Sequence, residues 1–206
     1  MAICWQWDEP KRQRKLHTVG DYIFWSYSML SVSREIMERT RKGEPSPHPN
    51  GRTKAANILM SHFQGSQKKI RDLDRDDRLS QDGAHVCAHF GCLSSKYHWD
   101  HMVPRSKLYG LYIPLNQVRS CPRCNISRGA KDLMGWHREN QTFPSLGILR
   151  RYLKICYYYS QQHGYLDLSV ENAALERLPF EPRNFPRKFP PLEQLVWDYA
   201  YKGPQA

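Results

Sequence analysis

Apolar and polar residues alternate along the chain in patterns that predict helices near both ends. Residues 21–41 mix aromatic and aliphatic side chains before they become charged, which is typical of a helix that packs on a core. A turn-rich linker follows, and residues 52–63 form a second predicted helix. Residues 146–164 have an apolar and a basic face and end at Gly164, so they predict a third helix.

The middle of the chain has a different composition. Cysteine, histidine, tryptophan and asparagine cluster between positions 84 and 140, and a strand that includes Asp100 and His101 should end before Pro104. From Pro122 onward we expect a helix, although Gly129 lowers its propensity. The prediction is an α+β protein with three regions: a mainly helical N-terminal region with a basic arm (1–83), a core (84–140) and a C-terminal extension packed on that core (141–206).

The extension combines a helix with a proline-punctuated tail. We expect this tail to lie on the surface and to lead into a short final helix, because its prolines interrupt regular structure. No apolar run reaches the length of a signal peptide or a membrane-spanning helix, so we expect a cytoplasmic protein without a membrane partner.

Charge and size narrow the classes of function. The chain has 206 residues, 40% of them hydrophobic, with a formal net charge of +11 at pH 7. This composition indicates a globular protein, and a basic excess of this size favours a polyanionic partner, most often nucleic acid. A ribosome-associated protein, or a merely soluble basic protein, would have the same net charge.

Two pairs of cysteines predict a structural zinc site. A thiolate set with two close pairs matches tetrahedral zinc, and cytoplasmic thiols stay reduced. The predicted ligands are Cys87, Cys92, Cys121 and Cys124. His85 and His89 lie close enough to replace a cysteine, whereas Cys4 and Cys156 fall outside the pattern. Four buried thiols without metal are the alternative interpretation.

Residues suited to phosphodiester hydrolysis lie between the two cysteine pairs. A neutral histidine can accept a proton from water near pH 7, which makes His101 a candidate general base. Asp100 and Asn125 offer oxygen ligands that suit Mg²⁺ or Mn²⁺. Adjacent strand residues point to opposite faces, so Asp100 and His101 can share one site only if the strand distorts or ends there. His98 shares a strand face with Asp100, so it is a candidate extra ligand or phosphate contact, with a structural histidine as the other interpretation.

Three motifs in this segment resemble the HNH endonuclease family. They are "WDHMVPRS", "PLNQV" and "CPRCNISRGAKD", and the resemblance covers about residues 87–136. The third signature position is Asn125 rather than histidine. The resemblance implies a ββα-metal fold, with His101 as general base and with Asp100 and Asn125 holding one catalytic Mg²⁺ or Mn²⁺. It also implies that Asn116 ties the loop between the strands to the backbone near His101. Cleavage should leave 5′-phosphate and 3′-hydroxyl ends.

The partner expected from this resemblance is DNA, in double-stranded form. The residues predicted to contact phosphate are Arg105, Lys107, Arg128 and Lys131. The implied roles are restriction, anti-phage defence, or a phage or homing nuclease, acting as a homodimer or with a partner protein. The competing hypothesis is a zinc-stabilised nucleic-acid-binding module without catalysis, which shares the cysteines and the charge.

Overall fold

The computed structural model describes residues 3–7, 14–70, 86–108 and 116–199. The helices are α1 (Val19–Arg41), α2 (Arg52–Gln64), α3 (Pro122–Arg128), α4 (Leu133–Glu139) and α5 (Leu146–Gln162). The strands are β1 (Ile3–Cys4), β2 (His98–His101), β3 (Gln117–Ser120) and β4 (Thr142–Phe143). The fold is therefore α+β, with two small antiparallel sheets, β1–β4 and β2–β3.

Helix α1 runs through the interior of the protein. It begins with a capping box, in which Thr18 and Asp21 satisfy each other's backbone N–H groups. Its buried side chains include Ile23 and Leu30, and the helix packs against both α2 and α5. The three helices that the apolar pattern predicted are therefore present, and α1 packs against the other two.

Strands β2 and β3 form a regular antiparallel hairpin that leads into a helix. Asp100 lies opposite Val118, and His101 lies opposite Gln117. β2 ends at His101, as the prediction of a strand ending before Pro104 required. Helix α3 starts directly after β3, with Pro122 at its first position, where a missing backbone N–H costs nothing.

The helix predicted from Pro122 onward is divided in two. Gly129 ends α3 with a φ of 52°, a conformation that favours glycine, and its backbone N–H donates to the carbonyl oxygen of Asn125. Asp132 then caps α4, because its side chain accepts from the backbone N–H of Gly135 at 2.8 Å. The break lies between Arg128 and Leu133, so that two short helices replace the single predicted one.

The C-terminal tail is part of the core, which corrects the expectation of a surface tail. Phe185 and Phe189 are each 2% exposed, because phenylalanines between the prolines pack into the protein. The indole N–H of Trp25 donates to the carbonyl oxygen of Arg187 at 2.8 Å, which fastens the tail to α1. In place of the short final helix, the last helical turn of the described tail is a 3₁₀ turn, Leu192–Gln194, and residues 200–206 are not described.

The three predicted regions share one hydrophobic core in the described residues. β1 pairs with β4, with Ile3 opposite Phe143, and buried side chains from the N-terminal, middle and C-terminal parts of the chain belong to one cluster. The predicted boundary after position 83 lies outside the described residues, as does most of the basic arm. Among the described helices, none combines the length and the apolar character needed to cross a membrane.

Candidate functional site

The four predicted cysteine ligands lie together in space. Their Sγ atoms are all within 4.8 Å of one another. In the first pair, Cys87 and Cys92 enclose a tight turn, in which Gly91 adopts a φ of 67° and donates to the carbonyl oxygen of Cys87 at 2.8 Å. The second pair begins α3, where Cys121 is the N-cap and Cys124 lies in the first turn.

This thiol cluster could bind a metal such as zinc. Zn–S bonds of about 2.3 Å place the sulfurs of a tetrahedral site about 3.8 Å apart, and Cys92 and Cys124 have an Sγ–Sγ distance of 4.0 Å. Hydrogen bonding between Cys87 and Cys124 is the main cause that lowers the pKa of Cys87 and raises the pKa of Cys124. A bound dication would replace the thiol protons and hold all the thiols as thiolates.

Asp100 lies in a buried ionic network that connects three parts of the site. It is 4% exposed, and Arg128 donates to both of its carboxylate oxygens, through Nε at 2.6 Å and through Nη2. His89 contacts the Oδ2 atom through Nε2 at 2.9 Å. Arg128 also donates to the carbonyl oxygens of His101 and Lys131. The network joins the hairpin to the end of α3 and to the first cysteine turn.

The partners of Asp100 keep it ionised despite its burial. Burial alone raises the pKa of a carboxyl group, but the hydrogen bonds from His89 and Arg128 and the charge of Arg128 outweigh it and hold the pKa of Asp100 below its ordinary value. The charge of this carboxylate is therefore balanced within the protein.

The arrangement around Asp100 does not fit its predicted role as a ligand of a catalytic cation. Both carboxylate oxygens already accept from cationic or histidine donors, and the side chain is out of contact with solvent. Mg²⁺ would have to displace Arg128 or His89 to reach it. Asn125, the other predicted ligand, follows Cys124 on α3 and is half-buried. It lies beside the thiol cluster, and its backbone N–H donates to the carbonyl oxygen of Cys121.

His101 lies on the opposite face of the hairpin from Asp100. It is half-buried at the end of β2, and its Nε2 atom is 3.0 Å from the side-chain nitrogen of Gln117 on β3. The regular register therefore separates the two adjacent residues that the sequence placed in one site. Gln117 was missed by sequence reasoning. Its cross-strand pairing with His101 becomes visible only once the register of the hairpin is known.

Asn116 fastens the backbone next to His101. Its side chain is 1% exposed and makes two hydrogen bonds with Val103, accepting from the N–H at 2.8 Å and donating to the carbonyl at 2.7 Å. Its own carbonyl oxygen accepts from Met102 at 2.8 Å. The chain that leaves β2 is thus fixed to the start of β3.

Helix α5 contacts the hairpin through Arg151. Arg151 is 6% exposed and donates to the backbone carbonyl oxygen of Gln117 at 3.2 Å. The side chain of the same Gln117 meets His101, so the C-terminal extension helps to set the position of the histidine. This contact also could not be read from the sequence, because it joins residues 34 positions apart.

The four predicted phosphate contacts fall into different environments. Arg105 and Lys107 are exposed in a 3₁₀ turn that follows β2. Lys131 is exposed and pairs with Glu139 at 2.6 Å, a surface ion pair that exchanges readily. Arg128 is buried beside Asp100, so its position does not fit the expected phosphate contact. His98 is exposed on the strand face that it shares with Asp100.

Comparison with protein-family models, with curated proteins and with solved structures finds no match to this chain.

Proposed function

We propose that this protein is an endonuclease of the HNH type that hydrolyses DNA phosphodiester bonds, in restriction, anti-phage defence, or as a phage or homing nuclease. The observation that carries the proposal is the placement of His101. It sits at the end of a strand, its ring is oriented by Gln117, and the adjoining backbone is fixed by Asn116. A catalytic base needs such fixed geometry, whereas an incidental surface histidine does not.

The orientation of the Gln117 side-chain amide decides which ring nitrogen of His101 can act as the base. The glutamine amide can present either its oxygen or its nitrogen to Nε2 of His101 at the observed distance. With the oxygen turned toward Nε2, the neutral ring carries its proton on Nε2, and the lone pair on Nδ1 is available to a water molecule. A base in this tautomer takes a proton from the attacking water as the water adds to phosphorus.

Surface charge near His101 favours an anionic substrate. Arg105 and Lys107 are exposed directly after β2, four and six positions beyond His101, and can neutralise phosphates of the bound strand. The whole chain has a formal net charge of +11, which increases the rate of encounter with DNA at low ionic strength.

A requirement for Mg²⁺ or Mn²⁺ is part of the proposal and comes from the resemblance to HNH nucleases. Such a cation supplies Lewis-acid stabilisation of charge on the phosphate and the leaving oxygen. Asn125 offers one amide oxygen, but Asp100 becomes a ligand only if Arg128 or His89 releases it. The expected products carry 5′-phosphate and 3′-hydroxyl ends.

The second candidate function is a zinc-stabilised module that binds nucleic acid without cutting it. The Asp100–Arg128 pair favours this candidate, because a carboxylate neutralised inside the protein leaves no free ligand for a catalytic cation. It leaves unexplained why Gln117 and Asn116 both fix the surroundings of His101.

Supercoiled plasmid distinguishes the two candidates. The purified protein is incubated with plasmid in Mg²⁺, Mn²⁺, Ca²⁺ or EDTA, and both band mobility and strand breaks are recorded. The nuclease proposal predicts nicked or linear DNA with Mg²⁺ or Mn²⁺, and ends that a ligase rejoins. A retarded plasmid without breaks under every metal condition would support the non-catalytic module and contradict the nuclease.

A further inference from the structure

Two cross-strand pairs share the outer face of the β2–β3 hairpin. Trp99 lies opposite Arg119, and His101 lies opposite Gln117. Side chains two residues apart on a strand point to the same face, so the tryptophan is a neighbour of the candidate base. The distance between the two pairs along the strands is about 7 Å.

The exposure of Trp99 is not explained by packing. Its side chain is 56% exposed, although a tryptophan is among the side chains that gain most from burial. The guanidinium of Arg119 lies over its ring at 5.9 Å from the centroid, which is a cation–π geometry. A large aromatic surface is thus held beside a positive charge, in contact with solvent.

The charge of this segment identifies the partner. Between positions 86 and 125 the sequence has five lysines and arginines and a single acidic residue, Asp100. That acidic residue is buried and paired with Arg128, so it contributes no free negative charge at the surface. The positive charge on the exposed side of the hairpin therefore complements a polyanion better than it complements a protein surface of mixed charge.

We propose that Trp99 and Arg119 form a nucleotide platform that binds an unpaired base of the nucleic-acid substrate. The base stacks on the indole, Arg119 contacts the phosphate backbone, and a neighbouring phosphate is brought to His101. Within a continuous duplex the bases are stacked on one another, so an indole can reach a base face only where the strand is single, frayed or flipped. This inference rests on the proposed action of the site on nucleic acid and specifies the form of the substrate.

Oligonucleotide binding tests the platform separately from catalysis. Fluorescence anisotropy is measured at fixed salt in Ca²⁺, without Mg²⁺, Mn²⁺ or a chelator, so that the thiol cluster keeps its metal. The ligands are a labelled single strand, the matching duplex, and the duplex with an internal unpaired bubble. The proteins are wild type, Trp99→Ala, Trp99→Phe and Arg119→Gln. Leu93→Ala is the matched control, because Leu93 is an exposed apolar side chain (83%) outside the hairpin strands.

The expected result is a loss of affinity confined to unpaired substrates. Trp99→Ala should weaken binding of the single strand and the bubble by about 5- to 100-fold and change duplex binding by less than about 2-fold. Trp99→Phe should retain most of the affinity, because it keeps an aromatic face, and Arg119→Gln should lower both the affinity and its salt dependence. Leu93→Ala should bind as wild type does.

Other outcomes overturn the platform. Equal affinities for wild type and Trp99→Ala, or equal losses on duplex and single strand, would contradict it while leaving the nuclease proposal intact. If wild type forms a dimer, measured by its mass in solution, and Trp99→Ala does not, while both bind the oligonucleotides equally, this face would bind a second copy of the chain. A wild-type protein that binds no oligonucleotide would contradict both proposals.

Discussion

Arg128 and Asp100 form a buried ion pair in which the arginine donates to both carboxylate oxygens, and each side chain is 3% exposed. The pair joins the last residue of α3 to the hairpin strand that ends at the candidate base. Asp100 was predicted to bind the catalytic metal and Arg128 to contact phosphate, but in the structure the two side chains contact each other in the interior of the protein.

Arg128→Ala should destabilise the protein by about 3–5 kcal/mol, because it leaves Asp100 charged and without its main partner in the interior. Arg123→Ala is the matched control: this arginine is exposed on the same helix, and its replacement should change the free energy of unfolding by less than about 0.5 kcal/mol. Urea unfolding followed by circular dichroism measures both. An Arg128→Ala protein as stable as the control, but weakened in DNA binding, would return Arg128 to the phosphate contacts.

Cys121→Ser should abolish tight zinc binding and lower the melting temperature, because structural zinc contributes directly to the free energy of folding. The wild-type chain should contain one zinc per molecule by elemental analysis. Cys4→Ser, at an exposed cysteine outside the cluster, should retain the metal and the melting temperature of wild type. Equal zinc content in the two variants would exclude the thiol cluster as the metal site.

Gln117→Met should reduce the cleavage rate, because methionine fills the same space but cannot hold the Nε2 proton of His101. Gln117→Glu should retain activity, since a carboxylate accepts from Nε2. Its negative charge should also raise the pKa of the histidine and move the acid limb of the pH–rate profile to higher pH. Profiles of wild type and Gln117→Glu that coincide would show that residue 117 does not act through the ring of His101.

Stability should fall at acidic pH through His137. Burial, and then the charge of His89, lower the pKa of His137 well below its ordinary value of 6.5. The folded state therefore binds fewer protons than the unfolded state below pH 6.5. The resulting stability is fully present above that pH and is lost, by up to about 1.4 kcal/mol per pH unit, as the pH falls toward the folded-state pKa.

The substitution His137→Asn isolates this pH dependence. The Nδ1 atom of His137 is 3.0 Å from the hydroxyl oxygen of Thr142, and an asparagine amide can occupy a similar position without titrating. Unfolding free energies measured between pH 5 and 7 should fall less steeply for this variant than for wild type. Parallel curves would show that His137 does not contribute to acid sensitivity.

Part of this architecture could be predicted from the sequence, because the relevant signals are local. Apolar spacing located α1, α2 and α5, and the two cysteine pairs located the thiol cluster. The break between α3 and α4 was not predicted. It depends on the positive φ of Gly129 and on the capping side chain of Asp132, whereas the residue pattern from Pro122 onward is that of one continuous helix.

The environment of Asp100 could not be predicted, because it depends on contacts between distant residues. His89 and Arg128 lie 11 and 28 positions away, and only the folded hairpin brings them to one carboxylate. The motif around Asp100 looks the same whether the side chain faces a cation or an arginine. The contact between Gln117 and His101 likewise depends on the strand register, because the two residues lie 16 positions apart in sequence but directly opposite each other in the hairpin.

The rate of DNA cleavage by His101→Ala, compared with wild type and with His98→Ala, tests the central claim most directly. His98 is an exposed histidine on the same strand, so it controls for the loss of an imidazole near bound DNA. Single-turnover rates are measured on end-labelled DNA in Mg²⁺ or Mn²⁺, with zinc content and melting temperature recorded for each protein. We predict a loss of about 10²- to 10⁴-fold for His101→Ala and a near wild-type rate for His98→Ala. Cleavage by His101→Ala at the wild-type rate would contradict the account.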